Sequence, residues 1–334
     1  MLSIGLVGVG HLGKIHLKCI QLAQSKYRLV GIYDTDSATA DRVASEHGVR
    51  AFPSLEELLG AVDVVDVVTP TSSHYTVVKK ALEAGCHVFV EKPLTETLDE
   101  ARELIEISHR HEKLVQVGHV ERFNPALLAL GDAPVKPYFI EAHRLAMFNP
   151  RGTDVSVILD LMIHDLDIVL KLAGEEVSDV RASGVAVLST TPDIVNARIE
   201  FRNGAVANLT ASRVSLKNMR KVRLFQRDAY ISLDLLEKES QVVRLFDPGA
   251  ADIPTEGQQF PLQTPRGDRI IHVDQPASGP VNAIRMELES LARSIVEGTP
   301  VAVSIEDGYR ALKLAHRIMD AVAENQSRMP DPLS

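Results

Sequence analysis

Length, composition and charge narrow the class of this chain before any motif is considered. Its 334 residues exceed one ordinary hydrophobic core, so we expect two domains. The composition, 45% hydrophobic and 24% charged, is globular, and a net charge of −9 argues against nucleic acid as a main partner. No apolar run is long enough to span a membrane, and the first one lacks the basic start of a signal peptide. Cys19 and Cys86 lie in apolar segments, which indicates reduced, buried thiols and a cytoplasmic protein.

The first part of the chain alternates short apolar runs with amphipathic segments. The apolar runs predict strands at 2–7, 28–33, 64–68, 87–90 and 114–117. The segments between them predict helices at 12–24, 37–47, 55–60, 73–84 and 98–111. Strands joined by helical crossovers favour a doubly wound parallel sheet. We assign this domain to residues 1–118.

A glycine-rich turn follows the first predicted strand. Gly8 allows a tight turn, Gly10 lets backbone approach a pyrophosphate, and Gly13 lets the next helix pack on the strand. Asp34 follows at the end of the second strand, where a carboxylate binds ribose hydroxyls and repels a 2′-phosphate. The pattern therefore predicts NAD, not NADP, with His11 and Leu12 of the same turn in the cofactor site. An ordinary strand–turn–helix is the alternative.

Two further strand ends carry polar residues at the edge where ligands bind to open parallel sheets. Lys92 lies in a Glu-Lys-Pro sequence after the fourth strand, where we expect the nicotinamide end of a dinucleotide. A surface lysine capping the strand is the alternative. The third strand leads into hydroxyl-bearing residues, of which Ser72 or Ser73 could equally be a helix N-cap. The predicted cofactor contacts from both ends are Thr69, Pro70, Ser72, His74, Glu91, Lys92 and Pro93.

Beyond residue 118 the pattern changes to extended runs with few helices. Strands are predicted at 137–147, 177–188, 195–201, 205–212, 221–225, 229–233 and 241–246. The Asn203-Gly204 pair between two of them predicts a hairpin. Helices are predicted at 157–172, 281–297 and 305–324, an irregular segment at 247–280 and a frayed tail at 328–334. We therefore expect residues 119–334 to form an α+β domain with a largely antiparallel sheet covered on one face.

Three groups of residues in this second part could carry chemistry. Asp160 and His164 are four apart and share one helix face, so the carboxylate could orient a histidine base; an N-cap-like carboxylate and a core histidine are the alternative. Glu121, Arg122 and Asn124 lie near the predicted boundary, where the arginine could bind an anion or the segment could be a hinge and helix start. We interpret three further basic residues as surface charges: Arg144, Arg213 and Lys221. Scattered cysteines and the lack of a His-x-x-x-His pattern argue against a metal.

Together, the glycine turn, the sequence from Ala84 to Leu94 with its Glu-Lys-Pro, and Asp160-x-x-x-His164-Asp165 resemble the glucose–fructose oxidoreductase and inositol dehydrogenase family. The resemblance covers nearly the whole chain. It implies an N-terminal Rossmann domain, an open-faced C-terminal sheet, hydride exchange between a sugar-like alcohol and NAD(P), and oligomers, here a homodimer or homotetramer, that pack through that sheet. It also implies catalytic roles for Lys92, Asp160 and His164, and substrate contacts for these residues.

Within the family, residues 118–126 and 158–165 resemble the branch that oxidises UDP-N-acetylglucosamine at carbon 3 for lipid A. That resemblance implies a UDP-sugar substrate whose diphosphate contacts Arg122. The segment Asp154-Val155-Ser156 departs from the Gly-Gly pair that many members have before the Asp-x-x-x-His helix. Three alternatives stay open: another sugar or inositol dehydrogenase, an enzyme that returns the hydride to a sugar, and a non-catalytic dinucleotide-binding regulator.

Overall fold

The computed structural model describes residues 1–131, 135–149, 155–277, 279 and 281–328. The chain folds into two compact units. The first consists of Met1–Phe123 and Asn282–Lys313, and the second of Asn124–Val281 and Leu314–Ser334. Among the described residues, no helix combines the length and the apolar character needed to cross a membrane.

The first unit is built on a five-stranded parallel sheet. Its strands are β1 (Leu2–Val7), β2 (Tyr27–Tyr33), β3 (Val64–Val67), β4 (His87–Glu91) and β5 (Val115–Gly118). The helices from the same stretch are α1 (His11–Leu22), α2 (Ser37–His47), α3 (Leu55–Leu59), α4 (Thr71–Glu83) and α5 (Leu98–Arg110). The strand order is β2-β1-β3-β4-β5, which confirms the predicted doubly wound sheet.

Helix boundaries in this unit follow from side-chain capping. Asp36 accepts from the Thr39 N–H at the start of α2, and Thr97 forms a capping box with Glu100 at the start of α5. Helix α4 begins at Thr71 after Pro70, so neither Ser72 nor Ser73 is its N-cap, and that alternative is wrong. A proline at the cap fixes the backbone before the first turn without a side-chain acceptor.

A C-terminal segment also belongs to the first unit. Chain order predicts one second domain from residue 119 onward, but residues 282–313 pack with the first unit. Helix α8 (Ala283–Glu297) buries Leu288 and Leu291 in the same core as Ile4 and Leu17. Amphipathic periodicity shows which face of a helix is buried, but not which sheet that face packs against.

The second unit contains a nine-stranded sheet. Before the sheet comes α6 (Pro125–Leu128), and α7 (Ile163–Ala173) follows a π-helical turn, Ile158–Met162. The strands are β6 (Phe139–Leu145), β7 (Val177–Val185), β8 (Ile194–Phe201), β9 (Val206–Ser212), β10 (Met219–Phe225), β11 (Ala229–Asp234), β12 (Glu239–Phe246), β13 (Gln258–Thr264) and β14 (Gly267–Asp274). The order is β13-β14-β12-β11-β10-β6-β9-β8-β7, and among the described strands of this sheet only β6 and β9 pair in parallel.

The core of this unit lies on one face of the sheet. Side chains alternate between buried and half-exposed along β6, and α7 contributes Leu166 and Val169 to the buried cluster. The last helix, α9 (Ile305–Ser327), adds Leu314 and Ile318. A mixed, largely antiparallel sheet with helices on one face confirms the predicted α+β class.

The hairpin predicted at Asn203-Gly204 is present, and Gly204 has a φ of +86° that suits glycine. The irregular assignment of 247–280 is wrong, because β13 and β14 form an antiparallel hairpin there. Strand β13 is exposed along almost its whole length, so it lacks the alternation that identifies a half-buried strand. Of the predicted frayed tail, only Arg328 is among the described residues.

Candidate active site

The three glycines of the first turn have different physical roles. Gly8 has a φ of +90°, and a Cβ there would lie 2.6 Å from the Val68 carbonyl oxygen. A Cβ on Gly13 would lie 2.0 Å from the Gly8 carbonyl oxygen, so both positions require glycine for the fold itself. Nothing lies within 4 Å of a Cβ on Gly10. Gly10 therefore borders open space at the start of α1, where free N–H groups suit a phosphate.

Asp34 lies at the carboxyl end of β2. Its Oδ2 accepts from the Val9 N–H at 2.8 Å and its Oδ1 from the Asp36 N–H at 3.0 Å, which fixes the carboxylate beside the glycine turn. The carboxylate borders a cavity of about 300 Å³, lined by Tyr33, Asp34, Thr35, Ser37, Ala40, Asp41, Ala51, Phe52 and Pro53. The lining has two carboxylates and no lysine or arginine. These residues fit a ribose with free hydroxyls and disfavour a 2′-phosphate.

The ends of β3 and β4 are held together by a buried histidine. His74 Nδ1 lies 2.8 Å from the Pro93 carbonyl oxygen, and Nε2 lies 2.9 Å from the Thr69 carbonyl oxygen. Burial lowers the pKa of His74, although its two carbonyl partners oppose that shift. The imidazole therefore links the segments that follow the two strands, which is a structural role. The predicted cofactor contact of His74 stays a prediction.

Thr69 has a buried hydroxyl at this edge of the sheet. Its Oγ1 is buried and has no hydrogen-bond partner among the described residues. A buried hydroxyl usually has a partner, so this atom suits a ligand contact. Ser72 is exposed in the first turn of α4, and the Lys92–Pro93 peptide bond is cis. Together with the space at Gly10, the free hydroxyl fits a dinucleotide at this edge.

A buried charge cluster lies directly behind Lys92. His16 Nδ1 is 2.9 Å from Asp66 Oδ2, and His16 Nε2 is 3.1 Å from Glu91 Oε1. Glu91 Oε2 accepts from the Lys92 backbone N–H at 3.2 Å. The predicted contact residue Glu91 thus turns its carboxylate toward the protein interior, while the Lys92 side chain is partly exposed. Sequence reasoning missed His16 and Asp66, although a charged residue inside the apolar run 64–68 was a signal.

In the second unit, Asp160 and His164 flank the junction between the π-helical turn and α7. Asp160 is exposed and His164 half-buried, so the histidine is not fully buried in the core, and the catalytic roles of both residues stay predictions. Single π-helical turns within helices are frequent at functional sites. The next residue, Asp165, accepts two hydrogen bonds from Arg144, from Nε at 2.9 Å and from Nη2 at 2.8 Å.

The predicted substrate residues near position 121 are buried. The Arg122 guanidinium lies 3.6 Å from the Asp307 carboxylate, and Glu121 is also buried. Asn124 caps α6 by accepting from the Ala126 N–H, which confirms the predicted helix start. These contacts are structural, and substrate binding by the three residues stays a prediction.

The interpretation of three arginines and lysines as surface charges is wrong for two of them. Arg144 is buried against Asp165, and Arg213 is buried with its Nη2 donating to the Val155 carbonyl oxygen at 2.6 Å. Charged residues are rarely buried unless paired, so spacing alone does not reveal such pairs. Lys221 is half-exposed beside Asp234.

Within the described parts of the chain, no group of three or more histidine, cysteine or acidic residues could hold a metal ion. The cysteines Cys19 and Cys86 are free and buried.

Comparison with known proteins follows the same two parts of the chain. Residues 2–119 match the model of an oxidoreductase family with an NAD-binding Rossmann fold, and residues 138–231 match the GFO/IDH/MocA C-terminal domain. The UDP-N-acetylglucosamine 3-dehydrogenase of Acidithiobacillus ferrooxidans is 39% identical over 95% of this chain and 96% of its own. Its solved structure has a TM-score of 0.85 and covers 97% of this chain and 98% of that one.

More distant relatives act on cyclitols. A Bacillus subtilis scyllo-inositol 2-dehydrogenase (NAD⁺) is 31% identical over 63% of this chain and 67% of its own. The structure of a Lactobacillus casei scyllo-inositol dehydrogenase with NAD(H) and scyllo-inositol has a TM-score of 0.75 at 21% identity, covering 97% of this chain and 98% of that one, and shows a shared fold. The chain belongs to the GFO/IDH/MocA family of NAD-dependent oxidoreductases.

Proposed function

We propose that this protein oxidises the 3-hydroxyl of UDP-N-acetylglucosamine to a ketone with NAD⁺. The observation that carries the proposal is the 39% identity to the Acidithiobacillus UDP-N-acetylglucosamine 3-dehydrogenase across 95% of the chain. The inositol dehydrogenase relative aligns over 63%. The two carboxylates at the Asp34 cavity support NAD as the cofactor.

In this proposal Gly10, Asp34 and Thr69 hold the cofactor, which supplies a hydride acceptor when bound. A hydroxyl that loses hydride from its carbon must also lose its proton, so the reaction needs a base. His164 takes that proton, and Asp160, one helical turn earlier, orients the imidazole. The Lys92 ammonium donates to the reacting oxygen and stabilises its developing negative charge.

The chemistry of the proposed product indicates which class of enzyme would use it. A 3-keto nucleotide sugar is the substrate class of an aminotransferase, and such a step fits a route to 3-amino sugars of lipid A. We further propose a cytoplasmic homodimer or homotetramer that packs through the nine-stranded sheet, since alternate side chains along β6 are left half-exposed on its open face. Sedimentation velocity of the purified protein tests the assembly, and a monomer would contradict it.

The first experiment measures NADH formation by the purified protein with NAD⁺ and UDP-N-acetylglucosamine, with a 3-aminotransferase and glutamate to remove the ketone. We expect turnover in the wild type and a loss of about 10²–10⁴-fold in Lys92→Ala, the range for a lost proton-transfer or charge-stabilising group. Lys80→Ala is the matched control, because Lys80 is an exposed partner of Glu56 in the same unit.

The outcomes separate the alternatives. No turnover with intact NAD binding would direct the search to free sugars, inositols and other UDP-sugars. A cofactor that stays bound through purification and cycles without net NADH would favour an enzyme that returns the hydride to a sugar. NAD binding with no turnover on any sugar would favour a regulator. Full activity in Lys92→Ala would overturn the role of Lys92.

A further inference from the structure

Three elements of the first unit meet at a single buried imidazole. His16 projects from α1, Asp66 from β3 and Glu91 from the end of β4. His16 and Asp66 are fully buried and Glu91 nearly so. The ring of Phe89 lies against His16 with centroids 5.7 Å apart, which limits the rotation of the imidazole.

The two carboxylates of this cluster control the pKa of His16. Burial by itself lowers the pKa of His16, but the two carboxylates outweigh it and raise that pKa well above its usual 6.5. The two carboxylates therefore favour the protonated form of the imidazole, and each ring nitrogen has a carboxylate oxygen within 3.1 Å.

The carboxylate of Glu91 connects this cluster to the proposed site. Oε1 faces His16, and Oε2 accepts from the backbone N–H of Lys92 at 3.2 Å. A Cβ on Gly118 of β5 would lie 2.8 Å from Oε1, so the neighbouring strand also leaves the carboxylate little room. A carboxylate fixed on both sides holds the first peptide after β4 in one position.

We propose that His16 is a positioning residue, which holds the Glu91 carboxylate and through it the backbone of Lys92. The role deepens the proposed function and rests on the assignment of Lys92 there. His16 lies on α1, the helix whose start borders Gly10, so the same side chain links the helix proposed to bind the phosphates to the strand that Lys92 follows. A displaced lysine lowers turnover more than it lowers binding of the substrate.

Two substitutions separate the two contacts of the imidazole. In His16→Asn the shorter amide reaches the position of Nδ1 and keeps a donor toward Asp66. In His16→Gln the longer amide reaches the position of Nε2 and keeps a donor toward Glu91. Tyr27→Phe is the matched control, because it removes a buried hydrogen bond of the same unit, from the Tyr27 hydroxyl to the Leu288 carbonyl oxygen, and leaves both contacts of His16 in place.

The experiment measures hydrogen exchange of the Lys92 amide by NMR in the full-length protein, together with kcat, KM and NAD affinity. We expect His16→Asn to speed that exchange and to lower kcat by about 10–100-fold, with little change in KM or NAD affinity. His16→Gln should recover most of both losses. Tyr27→Phe should lower stability without moving either readout.

Each result decides the proposal. The proposal would be overturned if the Lys92 amide of His16→Asn exchanged at the wild-type rate. It would also be overturned if both His16 variants lost kcat equally and in proportion to their loss of stability. If neither His16 variant folds, the same measurements on Glu91→Gln decide the proposal. This variant keeps an oxygen for the Lys92 N–H and removes the charge that faces His16. If the wild type does not turn over UDP-N-acetylglucosamine, the proposed function fails while the exchange measurement still decides the role of His16.

Discussion

Both units bury charged groups, but they use them differently. In the first unit, the cluster of His16, Asp66 and Glu91 lies behind the carboxyl ends of parallel strands, next to the backbone of Lys92. In the second unit, the Arg144–Asp165 pair joins β6 to α7, and Asp193 holds a loop. Removing charge from the His16 cluster should therefore affect catalysis, whereas removing it from the Arg144–Asp165 pair or from Asp193 should affect stability.

The topologies explain the contrast. In a parallel sheet every strand ends at the same edge, so groups buried beneath that edge can reach several strand-end loops at once. In the mixed sheet, neighbouring strands run mostly in opposite directions, and the loops at either end need separate fastening. The expected effects below test this division of roles, from the largest to the smallest.

The Arg144–Asp165 pair gives the largest expected effect on stability. Arg144→Met should lower the free energy of unfolding by about 3–5 kcal/mol, because it leaves the Asp165 carboxylate buried without its bidentate partner. Urea denaturation measures the change. The double variant Arg144→Met with Asp165→Leu should recover much of it, since no unpaired charge remains. Loss of activity at unchanged stability would break the division of roles.

Asp193 should give the next effect. Its buried Oδ2 accepts from the N–H groups of Val187, Leu188 and Ser189 at 2.6–3.0 Å. Asp193→Ala should therefore lower the free energy of unfolding by about 2–4 kcal/mol at neutral pH. Asp193→Asn is the control, because its oxygen keeps part of the hydrogen bonding without the charge.

The pH dependence of this effect has a definite sign. Burial raises the pKa of Asp193, but the three N–H donors outweigh it and hold the pKa below its usual 3.8. The unfolded chain thus binds a proton at higher pH than the folded one. The contribution of the carboxylate is complete above pH 3.8 and is lost as the pH falls below it. Wild type and Asp193→Ala should therefore converge in acid, and a constant difference would contradict the assignment.

The sequence predicts much of the first unit because its signals are local. The strand Leu2–Val7 and the helix Ser37–His47 have the bounds that the sequence predicts, since a largely apolar run marks one and an Asp36 cap and a Gly48 end mark the other. The glycine turn likewise depends on residues close in sequence. What the sequence leaves open is which distant segment completes the core, as with α8.

The sequence could predict the residues at the edge of the candidate site, but not the buried residues that hold them in place. Lys92 follows a strand, so its edge position could be inferred from the chain order of the parallel sheet. His16 and Asp66 are 50 positions apart, and only folding brings them together. The burial of Arg144 depends in the same way on a partner in another element. Ion pairs between distant elements leave no periodic pattern, so sequence spacing does not reveal them.

Cofactor choice at Asp34 offers a smaller, functional test of the first unit. Asp34→Ser should reduce the preference for NAD over NADP by about 10–100-fold, equal to about 1.4–2.7 kcal/mol, because the charge that repels a 2′-phosphate is gone. Binding titrations with both cofactors measure it. Asp41→Ser is the matched control on the same cavity, and its shift should be smaller because Asp34 alone of the two is fixed by the Val9 N–H. Equal shifts would place the recognition elsewhere in the cavity.

The smallest expected change comes from one methyl group at Gly10. Gly10 has an extended backbone that alanine also adopts, and nothing lies within 4 Å of the added Cβ, so Gly10→Ala should leave thermal stability unchanged. The methyl group would occupy the space that a pyrophosphate needs, so NAD affinity should fall by up to about tenfold, or about 1.4 kcal/mol. Gly60→Ala controls for the substitution, because Gly60, the C-cap of α3, has a right-handed backbone and the nearest atom to an added Cβ is 3.5 Å away. Wild-type NAD affinity in Gly10→Ala would mean that the cofactor does not approach the chain at this turn, and the support that His16 gives would then concern Lys92 alone.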